Sequence, residues 1–147
     1  MGSFEMVSSI RIKGSAKEVW EVFSEVQGWP EWSKVCLDVW GLSEDLWNID
    51  SCLSFRLRMG GVGIPFSVRV IESDLPHRLA WISTKWTVTA TRTFTFQEEG
   101  NDTLILDHKL FSHPFLPLRL FYPKGIIRRM TDTWLLDLKT EVERRFK

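Results

Sequence analysis

Between Ser15 and Trp32 the chain reads Ser-Ala-Lys-Glu-Val-Trp-Glu-Val-Phe-Ser-Glu-Val-Gln-Gly-Trp-Pro-Glu-Trp, a capped amphipathic helix that runs straight into a Trp-Pro-x-Trp turn. Ser15 and Glu18 stand at capping-box spacing, where each side chain satisfies a backbone N–H at the helix start. Ala16, Val19, Trp20, Phe23 and Val26 recur at helical spacing until Gly28-Trp29-Pro30 ends the pattern. Pro30 suits a first helical position and opens a short second helical turn through Trp32 and Ser33. Followed by alternating strand patterns and one long terminal helix, this segment marks a chain that wraps a sheet around a helix and leaves a pocket between them.

The strand patterns bracket and follow it. In residues 4–13, Met6, Ile10 and Ile12 share one face and Arg11 and Lys13 the other, and Gly14 ends the strand. Further strands are expected at residues 35–41, 51–59, 64–73, 78–85, 87–97 and 103–112, in one continuous antiparallel sheet. The turns between the later ones are Gly60-Gly-Val-Gly63, Asp74-Leu-Pro-His77 and Glu98-Glu-Gly-Asn-Asp102. Pro114, Pro117 and Pro123 then interrupt an apolar stretch that reads as a loop over an opening. From Lys124 to Lys147, Ile127, Met130, Trp134, Leu138 and Val142 form the stripe of a long final helix.

With 147 residues the chain is sized for one domain, spanning 1–147. Lys plus Arg equals Asp plus Glu at 19 each, so no global field steers it to nucleic acid or an anionic membrane. Eight Trp and ten Phe against a single Tyr favour dry, apolar contact. Cys36 and Cys52 make neither a zinc site nor a disulfide framework and read as small buried or half-buried residues. No apolar run reaches the roughly 18 residues of a bilayer span and the start lacks a signal-peptide pattern, so the expected setting is soluble, reducing and cytoplasmic.

The order of elements and four local phrases resemble the START-like or SRPBCC superfamily, which includes Bet v 1, and within it the polyketide cyclase/dehydrase type. The phrases are Glu18-Val-Trp-Glu-Val-Phe23, Trp29-Pro-Glu-Trp32, Val70-Ile-Glu-Ser-Asp-Leu-Pro-His-Arg-Leu-Ala-Trp81, and Thr93-Phe-Thr-Phe-Gln-Glu-Glu-Gly100 before Thr103. The resemblance covers nearly the whole chain. It implies an α+β helix-grip fold, a curved seven-stranded antiparallel sheet wrapped around a long C-terminal helix, with two short helices between strands 1 and 2. It also implies a mostly apolar cavity for a lipid, polyketide, steroid or other aromatic molecule. Ser51 departs from the pattern, standing where many relatives have a glycine opening the third strand.

Strand register supplies a site. If the Glu98–Asp102 turn pairs its strands about its centre, Phe96 faces Leu104, Phe94 faces Leu106, Arg92 faces His108 and Ala90 faces Leu110. Thr91, Thr93, Thr95, Asp107 and Lys109 then take the solvent face. Arg92, which cannot shed its charge, and His108, held neutral by burial, would sit side by side among Phe and Leu. Arg92 would bind an acidic or carbonyl group while His108 exchanges a hydrogen bond or acts as a general base; both could equally bond backbone or solvent near a cavity mouth.

The expected lining comprises Phe55, Leu57, Phe66, Val68 and Trp81, then Phe94, Phe96, Leu106 and Leu110 with that pair, and Met130 and Trp134 from the last helix. Trp20 and Phe23 are expected to pack the outer end of the core, and Trp29 and Trp32 to anchor the short helix or border the entrance. His77 reads as a surface residue and His113 as a flank of the covering loop; the three histidines make no metal site. Arg56, Arg58 and Arg69 share an outer basic strip, more simply a solvated face than a binding surface.

The expected function is binding or carrying of a small hydrophobic ligand, with no cofactor, no nucleic acid and no stable membrane insertion. The alternatives are a cyclase or dehydratase-like enzyme using His108 and Arg92, and a protein-interaction module like the related Hsp90-activating domains.

Overall fold

A computed structural model of the chain describes residues 2–85, 87–113 and 123–146. Of the loop expected over an opening, His113 to Pro123, residues 114–122 lie outside the described residues. Strand β1 (Gly2–Lys13) leads into helix α1 (Ala16–Ser24), a single 3-10 turn (Val26–Gly28) and helix α2 (Trp29–Trp32). Strands β2 (Cys36–Trp40), β3 (Cys52–Met59), β4 (Val62–Asp74), β5 (Arg78–Lys85), β6 (Val88–Glu99) and β7 (Asp102–His113) follow, and helix α3 (Lys124–Arg145) completes the fold. The seven strands form one antiparallel sheet in the order β1-β7-β6-β5-β4-β3-β2, so β1 and β2 sit at opposite edges with α1 and α2 bridging them.

Both bonds of the Ser15–Glu18 capping box are present, at 3.1 and 2.9 Å. Helix α1 stops earlier than its apolar spacing suggests, at Ser24, because the chain tightens into the 3-10 turn that carries Val26 inward. Pro30 sits in the first turn of α2, where its missing N–H costs no hydrogen bond.

The core gathers on Phe23, which is fully buried and central instead of lying at the outer end. Its ring lies 4.9 Å from Phe94, 5.6 Å from Trp29 and 5.8 Å from Phe96, mostly edge to face. Such pairs each contribute about 0.5–1.5 kcal/mol beyond burial. Trp29 is an anchor: its indole N–H donates to the Phe23 carbonyl at 2.8 Å inside the core. Trp32 packs at a tilt against Trp134 of α3, with centroids 4.9 Å apart. Buried Asp137 of α3 accepts the Lys34 backbone N–H at 2.8 Å, fixing the α2–β2 connection to the helix that the sheet grips.

Met59 pairs with Val62, so the β3–β4 turn is the two residues Gly60-Gly61, both at positive φ (60° and 92°) that non-glycine residues resist. Ser51 is buried. Its hydroxyl accepts from the Trp47 N–H at 3.0 Å and donates to the Asn48 carbonyl at 2.6 Å, bracing the turn before β3. Cys36 is buried, and burial above all pushes its thiol up to about 12; Cys52 is exposed, contrary to expectation, because it opens β3 on the outward-facing parity.

The β6–β7 hairpin overturns the expected register. Glu99 pairs with Asp102, leaving a two-residue turn at Gly100-Asn101, with Gly100 at φ 66°. Pairing is thus centred half a residue later than the expected symmetry about Gly100. Arg92 lies opposite Lys109, Phe94 opposite Asp107, Phe96 opposite Ile105 and Ala90 opposite Phe111. A one-residue slip exchanges the two faces of a strand. Ile105, Asp107, Lys109 and Phe111 are therefore buried inside, while Leu104, Leu106, His108 and Leu110 take the outer face and are half-buried.

Candidate functional site

The inner faces of β3 to β7 do not close fully on α3. Between them lies a solvent-connected cavity of about 70 Å³. Phe55, Leu57, Phe66, Val68 and Trp81 line it from the sheet, and Ile127 and Met130 from α3. A smaller recess of about 20 Å³ shares Phe55, Leu57, Trp81, Arg92 and Met130 with it and reaches Trp29, Thr131 and Trp134. Trp134 is buried, and its indole N–H has no acceptor among the described residues.

One wall is charged. Arg92 on β6 and Lys109 on β7 line the cavity. Asp107, one inward position along β7, holds both from behind. Arg92 grips it side-on, with Nε donating to Oδ1 at 3.0 Å and Nη2 to Oδ2 at 2.6 Å. Lys109 Nζ donates to Oδ1 at 3.1 Å. The side chain of Asp107 is 0% exposed, Lys109 8% and Arg92 14%. The Arg92 guanidinium also lies 4.5 Å from the centre of the Phe94 ring, a cation–π contact that keeps it from swinging away.

Burial alone would raise the Asp107 carboxyl, but Arg92 and Lys109 outweigh it and hold the group below the usual carboxylate range. Burial, helped by the Arg92 charge, pulls Lys109 down to about 7 against the opposing pull of Asp107. The guanidinium cannot deprotonate, so the triad carries one net positive charge when Lys109 is protonated and none when it is neutral. Such a wall can accept a carboxylate, an enolate or a polarised carbonyl, and its lysine can give or take a proton near neutral pH.

The expected lining residues fall into three groups. Phe55, Leu57, Phe66, Val68, Trp81, Arg92 and Met130 line the main cavity, and Trp134 lines the recess. Phe94 and Phe96 are fully buried behind it, packed on Phe23 as core. Leu106, His108 and Leu110 are corrected to the outer face by the hairpin register; there His108 Nε2 lies 2.8 Å from Glu5 of β1. Asp107 and Lys109, assigned to solvent in the sequence reading, take the place intended for His108. The missed signal was Gly100-Asn101, a two-residue hairpin pair in its own right. Lys85 and Phe111 were also missed, and both line the cavity together with Ala90, which the expected register had placed on the inner face.

His77 is exposed, as a turn histidine should be. Arg56 pairs with Asp38 at 3.6 Å and Arg69 with Asp50 at 2.9 Å on the outer side of the sheet. Among the described residues no helix is long and apolar enough to cross a membrane.

A sheet gripping a helix over a largely apolar cavity defines a helix-grip domain. Residues 3–143 match the family described as polyketide cyclase / dehydrase and lipid transport, and the chain belongs to that family. No curated protein matches it significantly in sequence. Its fold is similar to that of the Zhui aromatase/cyclase from Streptomyces sp. R1128, at TM-score 0.85 and 15% identity over 99% of this chain and 97% of that one. A START superfamily protein from Mycobacterium smegmatis superposes at TM-score 0.77 and 15% identity, covering 97% and 99%. The ginseng major latex-like protein 151 from Panax ginseng gives TM-score 0.80 at 9% identity, covering 95% and 97%.

Proposed function

We propose that the protein binds a small, mostly apolar or aromatic molecule in this cavity and docks one oxygen of it, from a carboxylate, an enol or a carbonyl, on Arg92 and Lys109. The observation that carries the reading is the buried Arg92–Asp107–Lys109 triad set into a mostly apolar lining. Apolar packing alone has no need of it, since a buried ion cluster is no more stable than well-packed hydrophobic residues. Family membership supports the same class of ligand.

The test compares 2-naphthoate with naphthalene in thermal melts and in quenching of tryptophan fluorescence. Saturation at a hundred times Kd raises stability by about 2.7 kcal/mol. The naphthoate should bind more tightly, and Arg92→Met should erase its advantage. Equal binding of the two compounds by the unaltered protein would sink the oxygen-docking assignment. Native mass spectrometry of the purified protein, followed by organic extraction, identifies whatever molecule it carries.

A cyclase-like enzyme is the second reading, favoured by a lysine that titrates near neutrality beside a fixed guanidinium. Lys109 would take a proton from the carbon next to a carbonyl, and Arg92 would stabilise the enolate oxygen. It requires turnover of a polyketide-like substrate that Lys109→Met abolishes.

A further inference from the structure

We propose that Lys109 is a carbonyl-reactive amine that forms an imine with an aldehyde or ketone group on the molecule seated in the cavity. This rests on the binding reading above and deepens it by naming the ligand's functional group and making its capture covalent.

The argument is a charge count on observed geometry. Asp107 offers one negative charge, and Arg92 already neutralises it through side-on contacts of 3.0 and 2.6 Å. Lys109 Nζ, 3.1 Å from the same carboxylate, is the second cation on a single buried anion. The other cation facing the space from the sheet is Lys85, and from α3 the Asp132 carboxylate acts on Lys109 only weakly. Two charges cannot both be held cheaply in so dry a wall, and only the lysine can leave its proton in water. Its pull down to about 7, caused first by burial and then by Arg92, agrees with that count. A neutral amine facing an apolar cavity is a nucleophile at neutral pH, which an exposed lysine is not.

The step balances without a redox partner. The Nζ lone pair attacks the carbonyl carbon, the C–O π pair moves to oxygen, and a proton passes from nitrogen to that oxygen to give a carbinolamine. The nitrogen lone pair then forms the C=N bond as the C–O bond breaks, the second N–H proton passes to the departing hydroxyl, and water leaves through the mouth. When protonated, the imine is a cation in the place of the ammonium, against Asp107. Arg92 faces the same space and can hold the oxygen while it carries charge.

The probe is 2-naphthaldehyde at pH 7.5 with sodium cyanoborohydride, which reduces an imine to a stable secondary amine. Peptide mapping should find one naphthylmethyl group on Lys109, formed about a hundredfold faster than on surface lysines of ordinary pKa near 10.4. An excess of unreactive 2-naphthoate should suppress it, and Lys109→Met should fold with no adduct in the β7 peptide. Competition in the unaltered protein decides the matter even if that variant fails to fold. If the aldehyde quenches the tryptophan fluorescence and shifts the melting temperature yet labels Lys109 no faster than the surface lysines, the imine is overturned while the binding reading stands. If the aldehyde neither binds nor labels, both fall.

Discussion

Arg92 and Asp107 meet side-on across neighbouring strands, two N–H donors against two carboxylate oxygens, in a pair whose acid is wholly shut off from water. The grip leaves Lys109 as a surplus cation on the buried acid, and that surplus gives this wall of a mostly apolar cavity its chemistry. It also makes the carboxylate the member that the fold can least lose. Asp107→Leu strands two buried cations and should cost about 3–5 kcal/mol, measured by urea unfolding. The combined Arg92→Met, Asp107→Leu, Lys109→Met variant should recover most of that loss. An Asp107→Leu protein as stable as the original would refute the burial of the triad.

The proton that Lys109 sheds should appear in the pH dependence of stability. In the unfolded chain the amine titrates at its ordinary value of 10.5, and in the folded protein at about 7. Between those values the unfolded state binds more protons, so stability rises with pH and is lost as pH falls through the folded value. The slope approaches about 1.4 kcal/mol per pH unit, or about 2 kcal/mol between pH 7.5 and 9. Urea unfolding of the unaltered protein and of Lys109→Met across that range should differ by this slope. Parallel curves would place the amine in water.

His108 should be dispensable to the cavity. It lies on the outer face, more than a third exposed, and its contact is with Glu5 on the neighbouring strand. Exposed pairs of this kind contribute about 0–1 kcal/mol. His108→Ala should therefore leave 2-naphthoate affinity unchanged within about twofold and shift stability by less than about 1 kcal/mol. A tenfold loss of affinity would return His108 to the binding site.

The misplacement of His108 shows where the chain's own pattern speaks and where it is silent. Capping box, Trp-Pro-x-Trp turn and the alternation of β3 and β4 each carry one periodic signal with one reading, and the structure follows them. Strand β7 carries Leu104, Leu106 and Leu110 on one face and Ile105 and Phe111 on the other, so hydrophobicity cannot orient it. Its facing depends on the centre of the hairpin turn, and Glu98-Glu-Gly-Asn-Asp102 admits two centres. Half a residue decided whether a histidine or a lysine and its aspartate entered the cavity. The aromatic residues were ambiguous for a different reason. Phe94 and Phe96 share the inner face with Arg92, but Phe23 of α1 covers them, a contact between distant segments that no local spacing encodes.

Filling the cavity separates its role from that of the core. Ala90 lines the space on β6, one inward position from Arg92, and the side chain is small where its neighbours are large. Ala90→Phe projects a ring into empty volume instead of packed atoms, so it should change stability by no more than about 1 kcal/mol where true overpacking costs about 1–3. The ring takes room that a ligand needs, and 2-naphthoate affinity should fall at least about tenfold, equivalent to 1.4 kcal/mol. Thr91→Val, at the next residue but on the outer face, should leave affinity unaltered. Thermal melts and tryptophan quenching on the two variants measure both effects. Undiminished binding to Ala90→Phe would mean that the ligand sits elsewhere on the protein, because a ring at position 90 and a naphthalene cannot share the wall beside Arg92.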